Sequence, residues 1–407
     1  MPTDRNRPFP PGACLRFFLV YAALYVPYSI ITPYFQQMLA MLRFSNAQIG
    51  YIQGALELMA VLSPVLWGVL TDRLGSSRGV LALTVALCLP SFLLFPQCGG
   101  GTVAAVCAAL LFGLFFKPSI PLTDGMTFRY INQAGGNYGA VRIGGTSGYL
   151  VFIALFDVVF TLAGGVTVAG IAWLFAAAVA VQLASLLIVP TPPSDAAPSP
   201  STDAPSPPSA GPGWRAFAGR LFLTVVAVAF LGRVAMMSYY SFFSRYLSEA
   251  YGIERVGWIW ALGSICEVPL VYNSRRIMGR IGVKGLLALG MLGIVVRLAG
   301  FGLQGGLWLV LLMQPLHMFT FGAYHCSTLE YVARLFPARL QGSAQGVFSA
   351  VTIGLGGLIG SAAGGVVIDH FGYRALYVGY SLVALAGLLL CLVALPNVNE
   401  ENERSRA

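Results

Sequence analysis

Charge is what this chain has least of. Aspartate, glutamate, lysine and arginine make up 10% of its 407 residues, where a soluble domain carries about a quarter. No segment holds enough of them to be a water-facing domain. The seven cysteines, at 14, 88, 98, 107, 266, 326 and 391, form no CxxC pair. They read as small apolar residues, which excludes a disulfide framework and a metal site. A cleavable signal peptide is also missing. The first apolar run, from about Cys14 to Phe35, is too long for one and lacks a small-residue cleavage site, so it is expected to stay in the membrane. The net charge of +9 does not read as a nucleic-acid footprint, because the basic residues cluster in short connections and never on a solvated fold. No cofactor is expected.

What the chain has is apolar length. It is 57% hydrophobic with a mean hydropathy of +0.76, the composition of a protein that crosses the bilayer many times. Each crossing needs roughly 20 mostly apolar residues. Apolar runs fall near 13–38, 46–70, 79–97, 102–128, 139–161 and 166–189. After a break they resume near 215–247, 254–274, 285–303, 307–333, 343–368 and 374–395. The expectation is an all-α membrane protein of twelve spans in two six-helix bundles, residues 1–189 and 214–396, with a tail at 397–407. The break, PTPPSDAAPSPSTDAPSPPSAGPG at 190–213, has no aromatic residue and reads as a disordered linker.

Lysine and arginine set the orientation. Arg16, Arg73, Arg78, Arg129 and Arg220 lie on the N-terminal side, with Arg5, Arg7 and Arg215. In the second half Arg275, Arg276, Arg280, Lys284, Arg334, Arg339, Arg404 and Arg406 join them, against Arg43, Arg255 and Arg374 on the other side. Both termini and the linker are therefore expected in the cytoplasm, and the chain in the inner membrane.

Two stretches repeat. GVLTDRLG at 68–75 and GVVIDHFG at 365–372 both fit G-x-x-x-D-x-x-G at the end of an apolar run, on opposite faces. A weaker copy is MGRIGVKG at 278–285. That placement is what an inverted repeat predicts. In the first copy Gly68 is expected to let two helices approach, Asp72 to meet a helix N-terminus or an arginine, and Gly75, Arg73 and Arg78 to complete a gating loop.

Ionisable residues inside apolar runs are expensive and mark a cavity or a pairing. They are Glu57, Lys117, Asp124, Arg142, Asp157, Arg233, Arg245, Glu267, Arg297, His317, His325 and Glu330. Lys117 and Asp124, seven apart, are expected on one helix face, with Pro118 and Pro121 between them freeing backbone carbonyls where a cavity can use them. Arg142 is the natural partner of Asp124; a structural salt bridge would account for the same residues. Glu267, Arg297 and His317 lie on neighbouring spans at similar depth.

With those residues in view, the chain resembles the major facilitator superfamily over its whole length. Within it, the chain is similar to the phenylpropionate permease-like branch, related to the lactose permease and other oligosaccharide–proton symporters. PLTD at 121–124, NYGAVRIGGTSGY at 137–149, LHMF at 316–319 and TFGAYH after it carry the likeness. The resemblance places Asp124 and Arg142 at a sugar-binding acid–arginine pair and Tyr149 where a tryptophan stacks on sugar. It places Arg297 and His317 in the coupling cluster and Glu267 within about a turn of a sugar-binding glutamate. Thr320 stands where that permease has its proton-carrying glutamate, and Gln314 at a lysine place.

The expected function is a secondary transporter, a proton symporter importing a small organic solute such as an aromatic carboxylate, a sugar or a nucleoside, and acting as a monomer. Arg142, Arg297 and Lys117 would hold a carboxylate by charge-assisted hydrogen bonds and Tyr149 would pack on a ring. Glu267 or Asp124 would take the proton, with His317 and Arg297 beside it. A proton-driven efflux antiporter would share the fold and the loop motif, and only the likeness to the permease branch favours uptake. A membrane enzyme with His317 or His325 as base is the remote alternative, since no paired acid motif accompanies them.

Overall fold

The computed structural model describes residues 12–190 and 217–397. The linker and tail expected at 190–213 and 397–407, and Arg5, Arg7, Arg215, Arg404 and Arg406, lie wholly or mostly outside the described residues. Within them the chain is helical. In the first half run α1 (Ala13–Met41), α2 (Asn46–Leu74), α3 (Ser77–Phe92), α4 (Thr102–Phe116), α5 (Ser119–Ala134), α6 (Tyr138–Leu162) and α7 (Val168–Ser185). In the second run α8 (Arg220–Tyr251), α9 (Gly257–Gly302), α10 (Leu307–Met313), α11 (Tyr324–Leu335), α12 (Ala338–Ser349) and α13 (Gly356–Ala394). Ten helical segments are long and apolar enough to cross a membrane. Two of them are far longer than a bilayer requires, Gly257–Gly302 at 46 residues and Leu340–Ala394 at 55. Each contains one glycine with non-helical backbone, Gly282 (φ 74°) and Gly372 (φ 77°).

Local chemistry explains the helix ends. Ser45 opens α2 with a capping box, its hydroxyl accepting from the Gln48 amide while Gln48 reaches back to the Ser45 N–H. Asn137 caps α6 and Thr167 caps α7 through their side-chain oxygens. Large apolar side chains such as Leu162, Trp173 and Val393 stand exposed on the outer surface. In water such a surface would drive aggregation; in lipid it is the solvent-matched face.

The halves meet along one part of their boundary and part along the rest. Small residues let α2 lie against the 350–369 stretch. A Cβ on Gly365 would fall 2.1 Å from the Asn46 carbonyl oxygen, and one on Gly50 2.3 Å from that of Ser361. Leu358 packs at Gly54, Glu57 at Gly357 and Val61 at Gly354. Val61 is the last of this series toward the face that carries the described chain ends. Further along, a Cβ on Gly68, Gly342 or Gly346 would meet nothing within 4 Å. The expectation that Gly68 permits a close helix approach is therefore not met in this conformation; the halves are apart at that level.

Candidate functional site

The site is built where the closed and open parts of this boundary join. Pro118 sets its first feature. Proline has no N–H, so the Leu114 carbonyl loses its helical donor and accepts instead from Ser63 Oγ at 2.6 Å and Trp67 Nε1 at 2.8 Å. The helix breaks there, α4 ending at Phe116 and α5 starting at Ser119. The break separates two residues expected to share a face. Lys117 turns to Glu57 on α2, Nζ to Oε1 at 3.0 Å. Asp124 turns to α1, accepting from Tyr21 at 2.5 Å and from Tyr138 at 2.9 Å.

Glu57 also receives Arg233 from α8. One carboxylate thus ties two cations, one from each half, with Lys117 and Glu57 side chains 16% exposed. Sequence reading flagged Glu57 and Arg233 as costly but had no signal to pair them, since they are far apart in the chain.

The expected Asp124–Arg142 ion pair is not formed; tyrosines take its place. Arg142 donates to the Tyr25 hydroxyl and stacks over the Tyr25 and Tyr21 rings, 4.8 and 5.7 Å from their centroids. Tyr21 and Tyr25 are one turn apart on α1 and so present their hydroxyls to α5 and α6 together. Tyr149 lies near Tyr239, Tyr240 and Glu267 of the second half.

The second half contributes a tighter cluster. Arg297 is 2% exposed. Its guanidinium donates to Gln314 Oε1 at 2.8 Å and Thr320 Oγ1 at 3.3 Å, and meets His317 Nδ1 at 2.9 Å. The Tyr239 ring lies 3.9 Å from it, a cation–π contact. Arginine has no acceptor, so Nδ1 must accept and the imidazole carries its proton on Nε2. That nitrogen faces Glu267 Oε2 at 3.5 Å. A π-helical stretch, Met318–Ala323, follows His317 directly; such bulges recur at functional sites and here turn Thr320 toward Arg297. The cavity beside Tyr239, Arg297 and Thr320 is about 10 Å³, room for one water at most. Glu267, with its side chain 20% exposed, is the member of the cluster that reaches toward open space.

Two carboxylates secure the closed face by crossing between halves. Asp157 on α6 accepts from the backbone N–H of Gly257 at 3.2 Å and of Trp258 at 2.7 Å, capping α9, and from Tyr34. Asp369 on α13 accepts from the N–H groups of Asn46 at 3.1 Å and Ala47 at 2.8 Å, capping α2, and from Asn46 Nδ2. Each half thus caps a helix of the other, where the helix N-terminus favours negative charge. Gln36 adds to this, accepting from Ser244 N–H at 3.1 Å and donating to the Tyr240 carbonyl. On the other face the first repeat stays within its own half: Asp72 pairs with exposed Arg129 at 3.1 Å, Gly75 ends α2 at φ 65°, and Arg73 and Arg78 are exposed.

Known proteins match this arrangement along its length. The chain is 25% identical to the maltose permease of Geobacillus stearothermophilus over 380 residues, covering 93% of each protein. It is 28% identical to the probable 3-phenylpropionic acid transporter of Escherichia coli, covering 91% of this chain and 95% of that one. Its fold matches the crystal structure of a nucleoside transporter, NupG, in a D323A mutant form, with a TM-score of 0.79 at 17% identity, covering 94% of this chain and 99% of that one. A D-xylose–proton symporter structure matches with a TM-score of 0.68 at 15% identity, covering 94% and 98%. The model of the MFS_1 like family matches residues 14–378. The chain belongs to that family: it is a multi-span solute transporter of the major facilitator superfamily.

Proposed function

We propose that the protein is a proton-coupled symporter that imports a small organic anion, an aromatic carboxylate in preference to a sugar or nucleoside. One observation carries the reading: Glu267, His317 and Arg297 form a linked chain whose partly exposed end, Glu267, stands on α9, the helix that packs against α6 of the other half, which bears Tyr149. Solute and proton would then act on the same few side chains.

Splitting the two longest segments at Gly282 and Gly372 gives the twelve spans that two six-helix bundles require. With both termini in the cytoplasm, the closed face looks outward and the open one inward. Alternating access would then exchange the Asp157 and Asp369 caps for contacts around Gly68 and Asp72.

In this reading Arg142 binds the substrate carboxylate and Tyr149 packs on its ring. Lys117 and Arg233 share the charge of Glu57 nearby. Arg297 has four protein partners, so its part is to hold His317 in the tautomer that presents Nε2–H to Glu267. Glu267 carries the proton in place of the glutamate absent at Thr320, and Asp124 orients Tyr21 and Tyr138 beside Arg142.

Reconstitution in proteoliposomes tests this. An inward-directed proton gradient should drive accumulation of 3-phenylpropionate, and Glu267→Gln should abolish accumulation while leaving exchange of internal for external solute. Accumulation that survives in both Glu267→Gln and Asp124→Asn removes these two carboxylates from coupling. Outward pumping under the same gradient would favour efflux.

A further inference from the structure

A larger cavity, of about 260 Å³, lies between the halves at the closed face. The first half lines it with Gln37 and Met41 of α1 and with Val166, between α6 and α7. The second half adds Ser248 and Glu249 of α8 and Glu254 after it. The cavity is separate from the central site. Glu249 stands ten residues along α8 from Tyr239, about 15 Å of helix rise. The contact of Gln36 with Ser244 and Tyr240 falls between the two along that helix.

Its polar lining is rich in acceptors that lack donors. Gln37 is 6% exposed, and its Nε2 donates to the Glu254 carbonyl at 3.0 Å and the Ser244 carbonyl at 3.5 Å. Those two carbonyls fix the amide, because the flipped form would set oxygen against oxygen. Oε1 is then left without a donor among the described residues, a costly state for a buried oxygen. Glu254 is exposed, and among the described residues its carboxylate has no ion-pair partner. Its neighbour Arg255 turns away to Thr161 at 3.2 Å. Arg245, the cation of the lining, is taken by Glu249 at 2.7 Å. Ser248 and Glu249 belong to the last turn of α8, which has no basic residue, and a helix C-terminus favours positive charge.

We propose that this cavity binds a small primary amine in its ammonium form, and that the occupant, held by both halves at once, keeps the closed face shut. An ammonium group offers three donors and no acceptor, the complement of the Glu254 carboxylate, Gln37 Oε1 and the Ser248 hydroxyl. Met41 and Val166 give a short apolar tail somewhere to pack. An anion would meet Glu254 and an arginine already paired. A neutral sugar would leave the Glu254 charge unanswered. Gln37 and Glu254 belong to opposite halves and part when this face opens, so the amine binds the closed form more tightly and shifts the balance toward it. The site is apart from the central one, so inhibition of transport by the amine is not relieved by excess solute.

Calorimetric titration of butylamine into the purified full chain tests the site. The wild type should bind it saturably. Glu254→Gln, shown by its melting curve to fold, should bind it about tenfold more weakly, and Ser248→Trp, which fills the cavity, should not bind it. With a cysteine at Ala47, saturating butylamine should slow labelling by a membrane-impermeant maleimide severalfold. The same concentration should have little effect once Glu254→Gln is added. A wild type that binds no butylamine, or Glu254→Gln with wild-type affinity, overturns the inference. Binding that is lost in Glu267→Gln but kept in Ser248→Trp puts the amine in the central site and overturns it too. Saturable binding with unchanged labelling overturns the claim that the occupant holds the face shut.

Discussion

Arg297 holds His317 by Nδ1, at 2.9 Å, with both side chains buried. The pair is therefore a single unit: the guanidinium decides which imidazole nitrogen carries the proton. Lysine at 297 cannot span Gln314, His317 and Thr320 at once, because its charge is a point and not a planar fork. Arg297→Lys is expected to reduce uptake at least tenfold while leaving the melting temperature within a few degrees. Arg297→Ala should lower both, since Gln314 and His317 lose a buried partner at a cost of about 1–3 kcal/mol each. Uptake assays beside thermal melting in detergent separate the two effects.

Glu57 sits between Lys117 and Arg233. Removing one member of a buried ion cluster leaves the others uncompensated, a loss of about 3–5 kcal/mol. Glu57→Gln should therefore melt earlier than either Glu57→Gln/Arg233→Gln or Glu57→Gln/Lys117→Met. A double-mutant cycle in which the losses simply add would show that the cluster does not act as one.

Asp157 and Asp369 close the same face from opposite halves. Loss of a helix cap costs about 0.5–2 kcal/mol, small for the fold but large for the balance between open and closed forms. In Asp369→Ala, and more so in Asp157→Ala/Asp369→Ala, a cysteine placed at Ala47 should react severalfold faster with a membrane-impermeant maleimide. Unchanged labelling in the double variant would mean that these caps do not hold the face shut.

Gly50 and Gly68 lie on the same helix yet predict opposite responses. A side chain at 50 meets the Ser361 backbone, while one at 68 meets open space. Gly50→Leu should disfavour the closed face and abolish transport with folding retained; Gly68→Leu should leave this conformation intact and hinder the alternate one. Cross-linking of cysteine pairs placed on each face reads the conformations directly. Equal cross-linking in both variants would contradict the geometry.

Much of this was legible in the residues. Apolar runs marked where the helices lie, because a lipid-spanning helix must bury every backbone polar group within itself and needs a run of fixed length to do so; their ends were less exact, the run at 254–274 stopping well short of the kink at Gly282. The same runs could not show that α4 and α5 separate at Pro118, since proline tells where a carbonyl is freed but not that Ser63 and Trp67 will meet it. The cost of an intramembrane charge flagged Glu57, Asp157, Arg233, Glu267, Arg297 and His317. It did not reveal their partners, which lie across the chain.

What the sequence determined by itself, then, is the class of solvent, the run lengths and which side chains are too polar to face lipid, for these follow from transfer energies of single residues. The tertiary structure alone decided that tyrosines and not Arg142 hold Asp124, that Asp157 and Asp369 cap helices of the opposite half, and that one face is shut while the other is open. Those are matters of which surfaces touch, and a packing contact between residues hundreds of positions apart leaves no trace in the local order of either.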